Sequence, residues 1–253
     1  VTRPGTLVVR HPSPDLLASA TAGRLLAAIA DAQAARGVAH VSLTGGTIGG
    51  KTLAAVASSP ARDAVDWGRV HFWWSDERFL PTGDPERNAT QAQEALLTAL
   101  QEGPGLDLAT VHYPPATDGP DGDDLDTAAA RYAAELLRFG AGAEAPEFDV
   151  LLLGMGPDGH VASLFPHHPG LGRDDSSVVG VRESPKPPPL RVSFTFGAIA
   201  RAREVWLVAS GAEKAAAVAR GVAAGDVAQT PAAGVAGTER TLWLVDEAAA
   251  ADL

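Results

Sequence analysis

Phe148-Asp149-Val150-Leu151-Leu152-Leu153 runs directly into Gly154-Met155-Gly156-Pro157-Asp158-Gly159-His160-Val161-Ala162-Ser163, and Leu164-Phe165-Pro166 follows. A mostly apolar run of strand length stops, glycines let the backbone turn tightly, and an Asp and a His are presented at the turn. Such a run, bounded by turn residues, reads as a strand buried on both faces. In open α/β sheets, ligands bind beyond the carboxyl ends of strands. Asp158, Gly159 and His160 therefore stand where chemistry is expected. The stretch closed by Pro166 reads as a short helical turn with His160 near its start, where the helix dipole favours the neutral ring. A neutral imidazole can serve as a general base.

Outward from this stretch, strand-like runs alternate with helical patterns, which predicts an α/β fold with a mostly parallel sheet covered on both faces. Thr6–Arg10 reads as a strand. Ser13-Pro14-Asp15 then supplies an N-cap, a proline at the first helical position and an acid in the first turn. The helix that follows carries Leu25, Ala28, Ile29 and Ala32 at helical spacing. Val38–Leu43 is a second strand, leading into a glycine loop, Thr44–Gly50, and a helix from Lys51. Val70–Trp74, Glu204–Ala209 and Thr241–Val245 are further strands. Helices are predicted around Ala92–Ala99 and Ala128–Leu137. Pro185–Pro189 reads as a surface loop, because patterning continues on both sides of it. A single domain over residues 1–253 follows.

The 253 residues are 45% hydrophobic and 20% charged, the balance of an ordinary globular chain. With no cysteine there is no disulfide framework, thiolate metal site or cysteine nucleophile. The N-terminal Val1-Thr2-Arg3-Pro4-Gly5 has no apolar signal core, and no stretch approaches membrane-spanning length, so a cytoplasmic chain with no membrane partner is expected. A net charge of −11 argues against a nucleic-acid surface. It also requires any anionic ligand to be held by a few local donors against the global field. A monomer is expected.

Two readings compete for the glycine loop. Gly45-Gly46-Thr47-Ile48-Gly49-Gly50-Lys51-Thr52 matches the phosphate-cradling pattern G-x-x-x-x-G-K-[ST] between a strand and a helix, with Asp76 at the next strand end as a metal-binding acid. The other reading is a simpler anion cradle, formed by backbone N–H groups at a helix start. Ser75-Asp76-Glu77-Arg78 is either a solvated turn or a pair of polar groups, Arg78 offering a fork to phosphate and Asp76 orienting a polar substrate. Ser210-Gly211-Ala212-Glu213 reads as a capping box that puts Lys214 in the first helical turn, where a cation opposes the helix dipole unless an anion lies nearby.

Other constellations are weaker. The acidic loop Asp118–Asp126 resembles a calcium loop only loosely, since Leu125 occupies a ligand position. His11, His40, His71, His112, His167 and His168 lack partners at metal-ligand spacing, so no metal is expected. There is no G-x-S-x-G, which disfavours a serine α/β-hydrolase.

With Gly154–Pro166, Asp76-Glu77-Arg78, Asn88 and Lys214 taken together, the chain resembles the 6-phosphogluconolactonase family. Asp76-Glu77-Arg78-Phe79-Leu80-Pro81, Arg87-Asn88 and Arg191-Val192-Ser193-Phe194-Thr195 are similar to other blocks of that family. The sister glucosamine-6-phosphate deaminases share Asp-Gly-His, but Ala162-Ser163-Leu164-Phe165-Pro166 favours the lactonase. The glycine loop departs from the family's usual Ser-Gly-Gly-Ser/Thr followed by proline, and Arg87 stands where serine is common.

The resemblance implies a Rossmann-like, three-layer αβα fold. It also implies hydrolysis of 6-phospho-D-glucono-1,5-lactone to 6-phospho-D-gluconate in the oxidative pentose phosphate pathway, with no metal or organic cofactor. His160 would be the catalytic base. Amides of the glycine turn at Gly154–Gly159 would hold the oxyanion. Gly45, Gly46, Thr47, Arg78 and Lys214, with Arg191, would hold the phosphate, while Asp76 and Asn88 fix sugar hydroxyls. A nucleotide-binding protein using Lys51, Thr52 and Asp76, and a non-catalytic sugar-phosphate sensor, are the alternatives.

Overall fold

In the computed structural model, which describes residues 5–173 and 175–253, β1 (Thr6–His11) leads into α1 (Pro14–Arg36) and β2 (Ala39–Leu43) into α2 (Gly46–Ser58). β3 (Val70–Trp74) is followed at once by a short β4 (Asp76–Arg78). α3 (Asn88–Ala92) passes through a π turn (Gln93–Leu97) into α4 (Thr98–Glu102). After α5 (Leu125–Arg138) come β5 (Val150–Gly154), β6 (Val178–Val181), β7 (Arg191–Phe194), α6 (Phe196–Ile199), β8 (Glu204–Ala209), α7 (Ala215–Val222) and β9 (Arg240–Asp246). The reading of Val1-Thr2-Arg3-Pro4 lies outside the described residues.

Among the described residues, the larger sheet has the order β1-β9-β8-β5-β2-β3, and every neighbouring pair is parallel. This is the predicted mostly parallel α/β sheet. Val150 and Leu152 pack with Leu25, Ile29, Leu53 and Val56 of α1 and α2 on one face. Leu151 and Leu153 pack with Tyr132, Leu136 and Val218 of α5 and α7 on the other. Successive side chains of a strand point to opposite faces, so a strand covered on both sides must be apolar throughout. Each leucine so buried contributes about 1.5–3 kcal/mol. α1 is delimited as its sequence predicts: Ser13 Oγ accepts from the Leu16 amide at 3.3 Å, Pro14 opens the helix, and Gly37 closes it at φ 76°.

A second, antiparallel sheet, β4-β7-β6, has no counterpart in the sequence reading. Asp76-Glu77-Arg78, read as a turn, is its β4 strand, with Asp76 opposite Ser193 and Arg78 opposite Arg191. α2 also starts earlier than expected, at Gly46 rather than Lys51, so most of the glycine loop is the first turn of a helix. No helix among the described residues is long and apolar enough to cross a membrane.

The chain steps from β2 outward to β3, and from β5 in the other direction to β8. β2 and β5 are neighbours, so the winding reverses between them, and a crevice opens beyond their carboxyl ends. The predicted site stretches lie along this edge.

Candidate active site

Thr44, Gly45, Gly46 and Thr47 follow β2, Asp76 and Arg78 follow β3, and Gly154 ends β5 with Met155, Gly156, Pro157 and His160 after it; together with Asn88, Arg191 and Lys214 they line one cavity of about 190 Å³. Of the predicted site residues, Asp158 and Gly159 are not on its wall. Asp158 stands behind His160. Gly159 serves the local turn, donating to the Gly156 carbonyl and accepting from the Ala232 amide.

His160 does not open a helix. Residues 156–165 form tight turns, with isolated bridges between Met155 and Val161 and between Val161 and Leu164, so no helix dipole acts on the ring. Its orientation comes from Asp158, whose Oδ1 lies 2.6 Å from Nδ1, and from Phe165, whose ring centroid is 4.6 Å away. Burial pulls the Asp158 carboxyl up, but the hydrogen bond and charge of His160 outweigh it and hold it at about 2. An ionised carboxylate only accepts, so Nδ1 is the nitrogen that donates to it, and Nε2 is the one left to exchange a proton.

Much of the turn around this pair is internally satisfied. Gly154 N–H donates to Thr44 Oγ1 at 2.9 Å, Gly156 N–H to the His160 carbonyl at 3.1 Å, Gly159 N–H to the Gly156 carbonyl at 2.9 Å, and His160 N–H to Asp158 Oδ1 at 3.3 Å. Of the turn amides expected to receive an oxyanion, those of Gly154, Gly156 and Gly159 are therefore already engaged.

Across the cavity, α2 begins at Gly46 with Gly45 as an N-cap that lacks a capping side chain. The first amides of a helix have no partner within it and attract anions. Gly45 is fixed as glycine by Asn88, since a Cβ there would lie 1.9 Å from Asn88 Oδ1. Asn88 is buried; its Nδ2 donates to the Asp76 carbonyl at 2.9 Å, while its Oδ1 has no partner among the described residues. Asp76 accepts from Ser163 Oγ at 2.7 Å and faces Arg191 Nη1 at 3.8 Å. A buried amide oxygen without a donor costs free energy unless a ligand hydroxyl supplies one.

The cations are arranged differently from one another. Arg78 Nη1 donates to the Glu86 carbonyl, and its Nε is buried without a partner among the described residues. Lys214 sits in a 3-10 turn, Ala212–Lys214, but the predicted capping box does not form. Ser210 Oγ and the Gly211 amide instead bind Asp246 at the end of β9, at 2.5 and 3.2 Å. Burial lowers the Lys214 pKa, Glu213 raises it and Lys186 lowers it further. Lys186 lines the cavity as well and was missed, because its proline-rich segment reads as a surface loop.

The P-loop reading does not survive this geometry. Lys51 reaches away to Asp15 at 2.6 Å, and Thr52 Oγ1 donates to the Ile48 carbonyl at 2.8 Å inside the helix. Neither lines the cavity. The acidic loop also has protein partners: Asp118 accepts from Thr82, Asp121 pairs with Arg131, Asp124 caps α5 and Asp126 pairs with Arg182.

Residues 12–243 match the family model described as glucosamine-6-phosphate isomerases/6-phosphogluconolactonase. The chain belongs to this family. A 6-phosphogluconolactonase of Streptomyces coelicolor is 55% identical over 249 residues, 97% of this chain and 94% of that one. One from Mycobacterium tuberculosis is 47% identical over 96% of each chain. The crystal structure of a 6-phosphogluconolactonase from Thermotoga maritima superposes with a TM-score of 0.80 at 25% identity, covering 96% of this chain and 100% of that one. In this isomerase/lactonase family member, the cavity at the β2–β5 crevice thus combines an oriented imidazole, a cradle of helix amides and several cations.

Proposed function

We propose that the chain hydrolyses 6-phospho-D-glucono-1,5-lactone to 6-phospho-D-gluconate, the lactone-opening step of the oxidative pentose phosphate pathway. The observation that carries this reading is one cavity lined both by His160 and, beyond β2, by the start of α2 with Lys214. A phosphorylated lactone needs a general base at its acyl carbon and an anion grip at its far end, and the wall supplies both.

His160 Nε2 takes a proton from water as the oxygen attacks the lactone carbonyl. Asp158 keeps the ring in the productive tautomer and stabilises the imidazolium that forms. When the tetrahedral intermediate collapses, the bond from the acyl carbon to the ring oxygen breaks, and the same imidazolium protonates the departing oxygen. The developing oxyanion falls to the positive field of the lining cations, because the amides of Gly154, Gly156 and Gly159 are engaged. Asn88 Oδ1 accepts a sugar hydroxyl, and Asp76 orients that amide. The amides of Gly46 and Thr47, with Arg78 and Lys214, hold the phosphate. The proposal extends to a cytoplasmic monomer, one α/β unit over residues 1–253, whose charge of −11 is unsuited to nucleic acid.

The test is a coupled assay of lactone disappearance corrected for spontaneous opening. His160→Ala is expected to fold and to lose about 10²- to 10⁴-fold in kcat. Turnover by that variant near the parent rate would refute the assignment. A parent chain that bound 6-phosphogluconate without any turnover would instead be a sensor.

A further inference from the structure

The chain has three lysines against seventeen arginines. Lys51 pairs with Asp15 on the surface, but Lys186 and Lys214 both line the cavity, and neither is in an ion pair among the described residues. Two ammonium groups lining one cavity repel each other, and an anion bound there relieves that repulsion. The charge of Lys186 is felt on both sides: with burial, it helps lower the Lys214 pKa, and it helps keep Asp158 ionised. Its side chain shares the cavity wall with both Lys214 and His160.

What holds Lys186 there is unusually well defined. It belongs to the strap Ser184-Pro185-Lys186-Pro187-Pro188-Pro189-Leu190, where proline fixes φ and removes donors. Ser184 Oγ donates to the Lys186 carbonyl at 2.8 Å, and the Lys186 amide returns a bond to that oxygen at 3.3 Å. Arg191 braces the strap from below. Its Nη2 donates to the carbonyls of Lys186 and Pro187 at 3.2 and 3.0 Å, and its Nε donates to that of Pro188 at 3.2 Å. The remaining Nη1 faces Asp76 at 3.8 Å, and the guanidinium lies 5.7 Å over the Phe165 ring. Arg191 is buried, and its Nε and Nη2 are spent on carbonyls. Only Nη1 is left for the phosphate contact expected of this side chain.

We propose that Lys186 is a specificity-determining residue that closes on the phosphate dianion together with Lys214, and that Arg191 is the positioning residue that sets the strap. This rests on the lactonase reading for its substrate, and it assigns the phosphate grip to Lys186 rather than to Arg191.

Kinetics on the phosphorylated lactone, combined with calorimetric binding of 6-phosphogluconate and of inorganic phosphate, test it. Lys186→Met is expected to weaken both ligands and raise KM by roughly 10- to 100-fold, the worth of a charge-assisted contact to phosphate, with kcat within about threefold. Arg191→Lys keeps the charge but cannot span three carbonyls. It should show the same split between KM and kcat, and the double variant should be no worse than the weaker single one. Multiplying effects in the double variant would make Arg191 a ligand in its own right and overturn its role as a brace. A fall in kcat with unchanged phosphate affinity in Lys186→Met would place Lys186 at the acyl carbon and overturn the proposal, as would no effect at all. If the parent showed no lactonase activity, the reading of the reaction would fail, while the calorimetry would still decide whether Lys186 grips phosphate.

Discussion

A Cβ on Gly156 would lie 2.2 Å from two atoms of the His160 ring and 2.5 Å from the Asp158 carboxylate, so this position is closed to every other residue while the pair keeps its geometry. Gly156→Ala should push the imidazole off its productive position. Misplacing a catalytic group by about 1 Å costs on the order of 10²-fold in rate, whereas the overpacking itself costs about 1–3 kcal/mol. Circular dichroism and kcat measured together are expected to show a folded, slow enzyme; a parental kcat would mean the ring has room to spare. Most of the residues that meet here could be named from the sequence, because Asp76-Glu77-Arg78, Asn88, the 154–166 block and Lys214 carry local patterns. Lys186 could not, since its only signals are four prolines around it and the scarcity of lysine. The direction of Arg191 was equally hidden: a side chain's partners depend on the strap folded over it.

At the scale of elements, β4 and the start of α3 are tied by one carboxylate. Glu77 is fully buried. Its oxygens accept from the amides of Arg78 at 2.8 Å, Asn88 at 2.7 Å and Ala89 at 2.8 Å, and Arg87 Nε stands 3.7 Å away. Burial pushes its pKa up, while Arg87 and those three N–H groups oppose the shift. Glu77→Gln replaces one acceptor with an NH₂ that must face N–H donors and a guanidinium. Breaking a buried pair in this way should cost about 3 kcal/mol, read by denaturant unfolding, and should raise KM as Asn88 loosens. A loss below about 1 kcal/mol would show instead that the carboxyl is already neutral in the folded state. The sequence pattern hides this junction, because charged residues normally lie outside. The parallel strands were legible because both of their faces are covered and they are apolar throughout. β4, β6 and β7 are three or four residues long, and β4 is wholly charged, so periodicity had nothing to detect.

Across the whole molecule, the end of the sheet opposite the cavity holds a stack that no local pattern announces. Parallel register sets His40 of β2 beside His71 of β3, and the chain returning along β3 adds His112. The rings of His40 and His71 stack at 4.6 Å, those of His71 and His112 at 5.1 Å, and Trp73 lies 3.8 Å from His112. His71 Nδ1 lies 2.8 Å from His112 Nε2, and His112 Nδ1 lies 2.9 Å from Glu135 Oε1. Burial and the neighbouring imidazoles lower His40 to about 3, and burial with His112 lowers His71 to about 4 against the pull of Asp107. Burial lowers His112 too, despite Glu135, and Arg138 adds to the shift. An unfolded chain protonates these rings near pH 6.5, while the folded one resists, so below that pH the unfolded state binds more protons and stability falls. Each fully shielded imidazole removes about 1.4 kcal/mol per pH unit, and the half-exposed His71 removes less. Most carboxylates titrate lower, and Glu77, which burial pushes up, works against the loss, so a fall in stability from pH 6.5 to 5 reports the stack. Unfolding in denaturant across that window should show a loss of roughly 2–3 kcal/mol. In the double variant His40→Asn, His71→Asn, where Asn Oδ1 replaces the ring nitrogen that accepts from Trp73 Nε1 at 3.2 Å, the loss should be less than half as steep. An equal slope in parent and variant would move the acid sensitivity elsewhere in the molecule.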